Sequence, residues 1–409
     1  MKNILRHPLT IAMTALSLPV CSLEAISDRE MADVSGQAFI TIDASSYSDG
    51  TGEWAGQYEF TKVNLGLDIE TLMTIDTLKV GEFERTVGED GTVPMTDSQG
   101  NPVTQNGNLV ARDADLIIEN FGLGRVTNYK DAVNAGVEEF KIRDPYIELA
   151  YKVESGVRKI AGVRIGFSEA QGWLSGDLIS LTGNLNGRIE GPASVVYDQN
   201  CNGQGTASWL QCIELGLADA LGTQLVSAID LVDGAVGTAG YSYGAGRELN
   251  EDGELQNPDS PYLDVPYLKR ASWAGVPGGR SFTAPGSALE FIIPALTGSE
   301  DCTVTGTPAC FPLTNFQSVY VGDESVDFEN GGGATGAFVS LQTTSVPWED
   351  FSGIEGSDRV LTQRGAFLNI AKFDSGSGVK YPLNLDLFSA TNGTPRQATC
   401  VGSLKGCYL

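Results

Sequence analysis

The sequence predicts a mainly β fold, an antiparallel sheet or sandwich, with one long amphipathic helix at about residues 211–231 and a short helix near the N-terminus. Three observations carry this. Apolar residues recur with period two in many short runs, as in Ile147, Leu149, Tyr151 and Val153, which alternate with Glu148 and Lys152. Hairpin signals stand between the runs: Asp90-Gly91, Asn106-Gly107 and Ser155-Gly156. The 50 glycines and 17 prolines suit many turns between short strands.

The chain opens on Lys2 and Arg6, an apolar stretch from Leu9 to Val20, and small residues, which is the layout of a secretory signal over residues 1–22. Cleavage after Ser22 fits best, with Ala25 as the second site. The apolar stretch is too short for a stable membrane anchor, and no later window suits a membrane helix. Ser27 and Glu30 then form a capping box, Ile26 and Met31 a hydrophobic staple, and Gly36 a left-handed stop, which together predict the short helix.

From Gln37 the pattern turns to strand: 38–44, 58–69, 72–84, 114–126, 145–153, 157–168, and two strands within 173–190 broken at Gly183. Ile213, Leu217, Leu221, Leu225 and Ile229 recur every four residues, and this stripe predicts the long helix with that face in the core. Residues 244–262, rich in Gly, Asn, Asp, Glu and Pro, read as an exposed loop between an N-terminal region, 23–243, and a C-terminal region, 263–409, with the two also able to form one continuous domain. Further strands are expected near 287–293, 316–321, 336–343, 365–372 and 383–388.

Charge narrows the partners. Once residues 1–22 leave, 24 basic residues face 52 acidic ones, a net charge of −28. Such a chain repels nucleic acid and anionic lipid. The six cysteines after the signal come as neighbours, and export makes disulfides reasonable, so the expected pairs are Cys201–Cys212, Cys302–Cys310 and Cys400–Cys407. Each loop closure is worth roughly 2–3 kcal/mol.

The only histidine, His7, lies in the signal, so the mature chain has no Ser-His-Asp or Cys-His arrangement and no histidine metal site. Ser377 and Lys380 fit Ser-x-x-Lys without a companion Lys-Thr-Gly box. Asp374-Ser375-Gly376 lacks the second carboxylate motif an aspartic protease needs. Asp113 and Asp115 are neighbours of a kind that 52 carboxylates produce by chance. The expectation is therefore a non-catalytic protein without catalytic or cofactor-binding residues.

Two loops have the oxygen spacing of a calcium site. Asp198, Asn200 and Asn202 precede Gly203, but the twelfth position is Trp209; Glu248, Asn250, Asp252 and Asp259 fit the spacing with Glu opening and Asp closing. A plain polar turn is the expected state of both.

Residues 23–37, LEAISDREMADVSGQ, resemble the mature start of a gammaproteobacterial group of exported β-rich proteins, some labelled pilus-system proteins of the Fil type. Asp144–Tyr151, Gly162–Phe167, Gly172–Asp177 and Pro395-Arg396 with Thr399-Cys400 are similar as well. The resemblance implies a surface or secreted β protein, structural or adhesive, whose partners are other surface or pilus-assembly proteins. A soluble periplasmic or secreted module for a hydrophobic or glycan ligand is the alternative, which exposure of Trp54, Trp273 or Trp348 would favour. An outer-membrane β-barrel is the third.

Overall fold

The computed structural model describes residues 40–46, 57–82, 104–105, 108–109, 113–202, 208–233, 242–243, 267–287, 289–290, 296–299, 302–304, 307–354, 359–376, 378–387, 389 and 393–401. The signal, the short N-terminal helix and the 244–262 loop lie outside these residues.

Antiparallel β structure dominates, as predicted. The first strands are β1 (Thr41–Ser46), β2 (Tyr58–Asn64), β3 (Asp68–Thr71), β4 (Met73–Glu82) and β5 (Ala114–Leu123). Two long strands follow, β6 (Phe140–Glu154) and β7 (Val157–Leu185), joined by a two-residue turn. Ser155 and Gly156 both take positive φ, 52° and 77°, as a type I′ hairpin requires, so the Ser-Gly signal is read correctly.

β7 organises the larger sheet. Its first half pairs with β6 up to Gln171; from Gly172 onward it pairs with β13 (Ser318–Val321) and, from Leu174, with β5. Gly172 sits at φ 138°, and a Cβ there would come within 3.0 Å of the Phe140 Cα, so glycine lets the strand exchange partners at that point. The predicted break at Gly183 is absent: β7 runs on to Leu185, and Gly183 serves a close approach to Leu368. The main path of the sheet is β1-β2-β6-β7-β14-β17, with β14 (Phe338–Gln342) and β17 (Gly365–Ile370) contributed from beyond residue 263.

The smaller sheet holds β8 (Gly187–Pro192), β9 (Gln224–Asp233), β11 (Trp273–Gly275), β12 (Cys310–Pro312) and β18 (Leu383–Asp386). Between it and the far half of β7 lies the largest core, with Leu181, Ile189, Leu225, Ile229, Phe282 and Leu385. Strands from both sides of residues 244–262 share both sheets, so Phe39–Leu409 is one compact unit. The remaining labels are β10 (Tyr267–Ala271), which pairs with β7, and the hairpin β15 (Val346–Glu349) with β16 (Arg359–Thr362).

The long helix requires correction. Helix α1 (Ala193–Cys201) and helix α2 (Trp209–Ala220) form instead, and residues 224–233 are a strand. Ser208 and Gln211 make the capping box that opens α2. Gly222, at φ 64°, closes it. The apolar spacing of four misleads because four is also a multiple of two: Leu225 and Ile229 share a strand face as readily as a helix face. Along α2 and its C-cap residue Leu221 the predicted core stripe is reversed. Leu215 and Ala218 are buried, whereas Ile213, Leu217 and Leu221 are exposed.

Cys201–Cys212 staples α1 to α2, with Cα atoms 5.6 Å apart, and Cys302–Cys310 closes a turn with Cα atoms 5.5 Å apart. Both are the predicted neighbours. Cys407 lies outside the described residues.

Candidate interaction surface

The register of the main sheet aligns aliphatic side chains across five strands. Ile42 stands opposite Val63, Val63 opposite Ile147, Ile147 opposite Ile165, and Ile165 opposite Val339. Two residues along the strands, Leu149, Val163 and Leu341 form a second row. Tyr151 and Ile160 form a third. Because side chains alternate across a sheet, these rows lie on one face. They are not a core. Ile42, Ile160 and Ile165 are 68%, 63% and 60% exposed, and Ile147 and Leu341 are 43% exposed.

The intervening row points inward and is charged. Lys62, Glu148 and Arg164 are direct cross-strand neighbours on β2, β6 and β7. Arg164 is fully buried, its Nε donates to the Glu148 carboxylate, and its Nη1 donates to the Glu349 carbonyl at 2.8 Å. Four rings surround the guanidinium at 4.7–5.4 Å: Phe351, Phe338, Trp348 and Tyr146. The Lys62 ammonium stands 4.3 Å from the Tyr146 and Phe351 centroids. The hairpin β15–β16 supplies Val346, Trp348 and Val360 over this inner face. The inner face thus buries an ion pair within an aromatic and aliphatic cluster, while the outer face carries exposed aliphatic residues.

Burial lowers the Lys62 pKa, an effect the Glu148 carboxylate partly offsets. Burial also pushes the Tyr146 phenol up to about 12, against the pull of Arg164. The folded state therefore holds a proton that the unfolded chain releases near pH 10. The contribution is intact below pH 10 and is lost as pH rises toward 12, a fall of about 2–3 kcal/mol. Urea unfolding across pH 9–12 will show this fall in the wild type and a shallower one in Tyr146→Phe; parallel curves would refute the assignment.

The predicted site residues do not converge on one site. Asp198 is in α1, where its carboxylate accepts from Asn202 Nδ2 at 2.7 Å, so the first calcium loop begins as a helix end and not as an open loop. Asn200 is in the same helix, and Glu248, Asn250, Asp252 and Asp259 lie outside the described residues. Among the described residues no group of three or more His, Cys, Asp or Glu side chains is placed to hold a metal. Lys380 pairs with Asp323 at 3.1 Å, and Ser377 lies outside the described residues; Asp374 Oδ1 accepts from the Gly376 N–H at 2.9 Å, which makes Asp374-Ser375-Gly376 a local turn. Asp113 is exposed and pairs with Lys79, whereas Asp115 is fully buried. Trp273 is 7% exposed and Trp348 wholly buried, which removes two of the three tryptophans that would have favoured a glycan site. Trp54 lies outside the described residues. Among the described helices none is long and apolar enough to cross a membrane.

Sequence reasoning placed β2, β6 and β7 and their alternation, yet assigned the aliphatic positions no role. The missed signal is the charged partner in each alternation. Lys62, Glu148 and Arg164 mark the same row on three strands, and an inward Arg with an inward Glu sends the aliphatic residues out. No family model, curated protein or solved structure matches the chain.

Proposed function

We propose that this chain is an exported, non-catalytic structural or adhesive protein of the cell surface that docks other surface or pilus-assembly proteins on its aliphatic sheet face. The observation that carries the reading is the five-strand row from Ile42 to Val339, in which Ile42, Ile147 and Ile165 are exposed and Val63 and Val339 half-buried, on the face opposite a buried ion pair. Contiguous apolar patches of this kind mark interaction sites, since water contact with them is unfavourable until a partner covers them. The secretory signal, the neighbouring disulfides and the Fil-type resemblance support the compartment and the partner class.

Ile147→Asp with Ile165→Asp tests it in the organism that encodes the chain. Both positions are well exposed, so the fold tolerates them with a small stability change. The expected result is normal export and accessibility to protease added to intact cells, with adhesion or surface assembly lost. Full adhesion by a displayed, folded variant would overturn the docking role. Protection of the wild type from added protease would overturn the surface location.

A further inference from the structure

We propose that helix α2 is a separate docking site whose occupant is a basic amphipathic helix of another protein, laid along an apolar stripe that this chain leaves exposed. The inference goes beyond the reading of the sheet face. It rests on other residues, between β8 and β9, and needs no part of that face.

α2 with its cap carries more large apolar side chains outside than inside. Leu215 and Ala218 are its buried residues, whereas Trp209 is 71% exposed and Leu210, Ile213, Leu217 and Leu221 are 47–60% exposed. At about 100° per residue these five fall within roughly 120° of arc, one continuous stripe about 18 Å long. Fraying does not explain it. The Ser208–Gln211 capping box fixes the first turn, and Cys201–Cys212 ties that turn to α1. A cap and a disulfide thus hold in place a short helix whose own burial is slight. Trp209, Ile213 and Leu217 stand four residues apart, the ridge against which a second helix packs.

Charge selects the occupant. Between Arg188 and Arg247 the chain has no Lys or Arg, but it has six acids. Three belong to the helix pair: Asp198 in α1, and Glu214 and Asp219 in α2. By the helical repeat Glu214 borders the stripe beside Leu210 and Leu221, and Asp219 lies on the opposite flank, beyond Trp209. Asp219 is exposed in the last turn, where a carboxylate opposes the helix dipole, so the stability of the helix does not account for it. A second copy on this site would bring the same acids together, and anionic lipid would meet them too. A helix with one apolar side and Lys or Arg along its edges matches both the stripe and its flanks.

The test is isothermal titration calorimetry of the chain from Leu23 onward, at physiological ionic strength, with three synthetic peptides about four helical turns long. One has a leucine face and a lysine face, one has the same leucine face with glutamate, and one carries lysine and serine with no apolar face. The leucine–lysine helix alone is expected to bind saturably. Leu217→Asp is expected to weaken it about tenfold or more, although it makes the site more acidic, which separates apolar docking from bulk charge attraction. Leu217→Gln, a good helix former, is expected to act in the same direction and covers any folding defect of the aspartate. Glu214→Lys with Asp219→Lys is expected to exchange the preference for lysine against glutamate, and Ile165→Asp on the main sheet to leave the titration unchanged. No binding of the leucine–lysine helix, equal binding of either other peptide, or wild-type affinity in Leu217→Asp and Leu217→Gln would overturn the proposal. An unchanged preference in the charge-exchanged chain would do the same, as would loss of binding in Ile165→Asp, which would put the peptide on the sheet face. A dimer, or binding to phosphatidylcholine vesicles, that Leu217→Asp abolishes would overturn it as well, by making a second copy or lipid the occupant. None of these results bears on the sheet face, whose role is read separately in the adhesion of Ile147→Asp with Ile165→Asp.

Discussion

Arg164→Met will lower the unfolding free energy by about 3–5 kcal/mol, measured by urea denaturation at neutral pH. The guanidinium is fully buried and answers a Glu148 side chain that is itself 4% exposed. Removing it leaves that carboxylate among Tyr146, Phe338, Trp348 and Phe351, where solvation is poor and the nearest remaining cation is Lys62 on the adjoining strand. The same substitution removes a cation that lowers the Lys62 pKa, so Lys62 will titrate closer to its ordinary range. Met fills much of the same volume, which makes lost packing a small part of the cost. Glu148→Leu added to Arg164→Met will return most of the loss, since a buried pair replaced as a whole no longer leaves an isolated charge. A loss under about 1 kcal/mol in the single variant, or no recovery in the double, would mean that the pair is already solvated and that this face of the sheet is not an interior.

Much of this architecture was legible in the sequence, for identifiable reasons. Period-two alternation placed β2, β6 and β7, and two positive-φ residues at Ser155 and Gly156 obeyed the hairpin rule. Neighbouring cysteines were read correctly at 201 and 212 and at 302 and 310, because short loops leave few other partners within reach. The failure at 221–231 was one of period, since Leu225 and Ile229 satisfy helix and strand alike and only Gly222 separates them. The exposed aliphatic face was missed for a different reason. Alternation reveals that a strand has two faces; which of them turns inward depends on what covers it. Here the cover is the β15–β16 hairpin carrying Trp348, about 200 residues downstream of β6. No local pattern around Ile147 or Ile165 reports that contact. Asp115 shows the same limit. Beside Asp113 it looked like one of many acids, yet its burial is set by Ala366 and Gly365, some 250 residues away.

That distant pair leads to the second large effect: Gly365→Ala will destabilise the fold by about 2–4 kcal/mol. Gly365 takes φ 108°, a region in which a side chain is strained by about 1–3 kcal/mol. A Cβ built there would stand 2.1 Å from Asp115 Oδ2, so the carboxylate or the strand has to move. The same oxygen accepts the Ala366 N–H at 2.9 Å, and Ala366 is fully buried at the start of β17. Displacing the carboxylate therefore loosens a backbone hydrogen bond as well as the side-chain packing. The two causes are separable. Asp115→Ala alone leaves the Ala366 N–H without that acceptor and will cost about 1–3 kcal/mol. Combined with Gly365→Ala it also removes the clash, so the double variant will be more stable than the sum of the single losses by at least about 1 kcal/mol. Strict additivity would show that the cost at Gly365 is backbone strain alone and that Asp115 does not hold β17 in place. Gly81→Ala supplies the control from the opposite side, because its Cβ would meet the same oxygen at 2.7 Å and at φ 71°. Its loss should shrink in the Asp115→Ala background by a comparable amount if one carboxylate is the common obstacle.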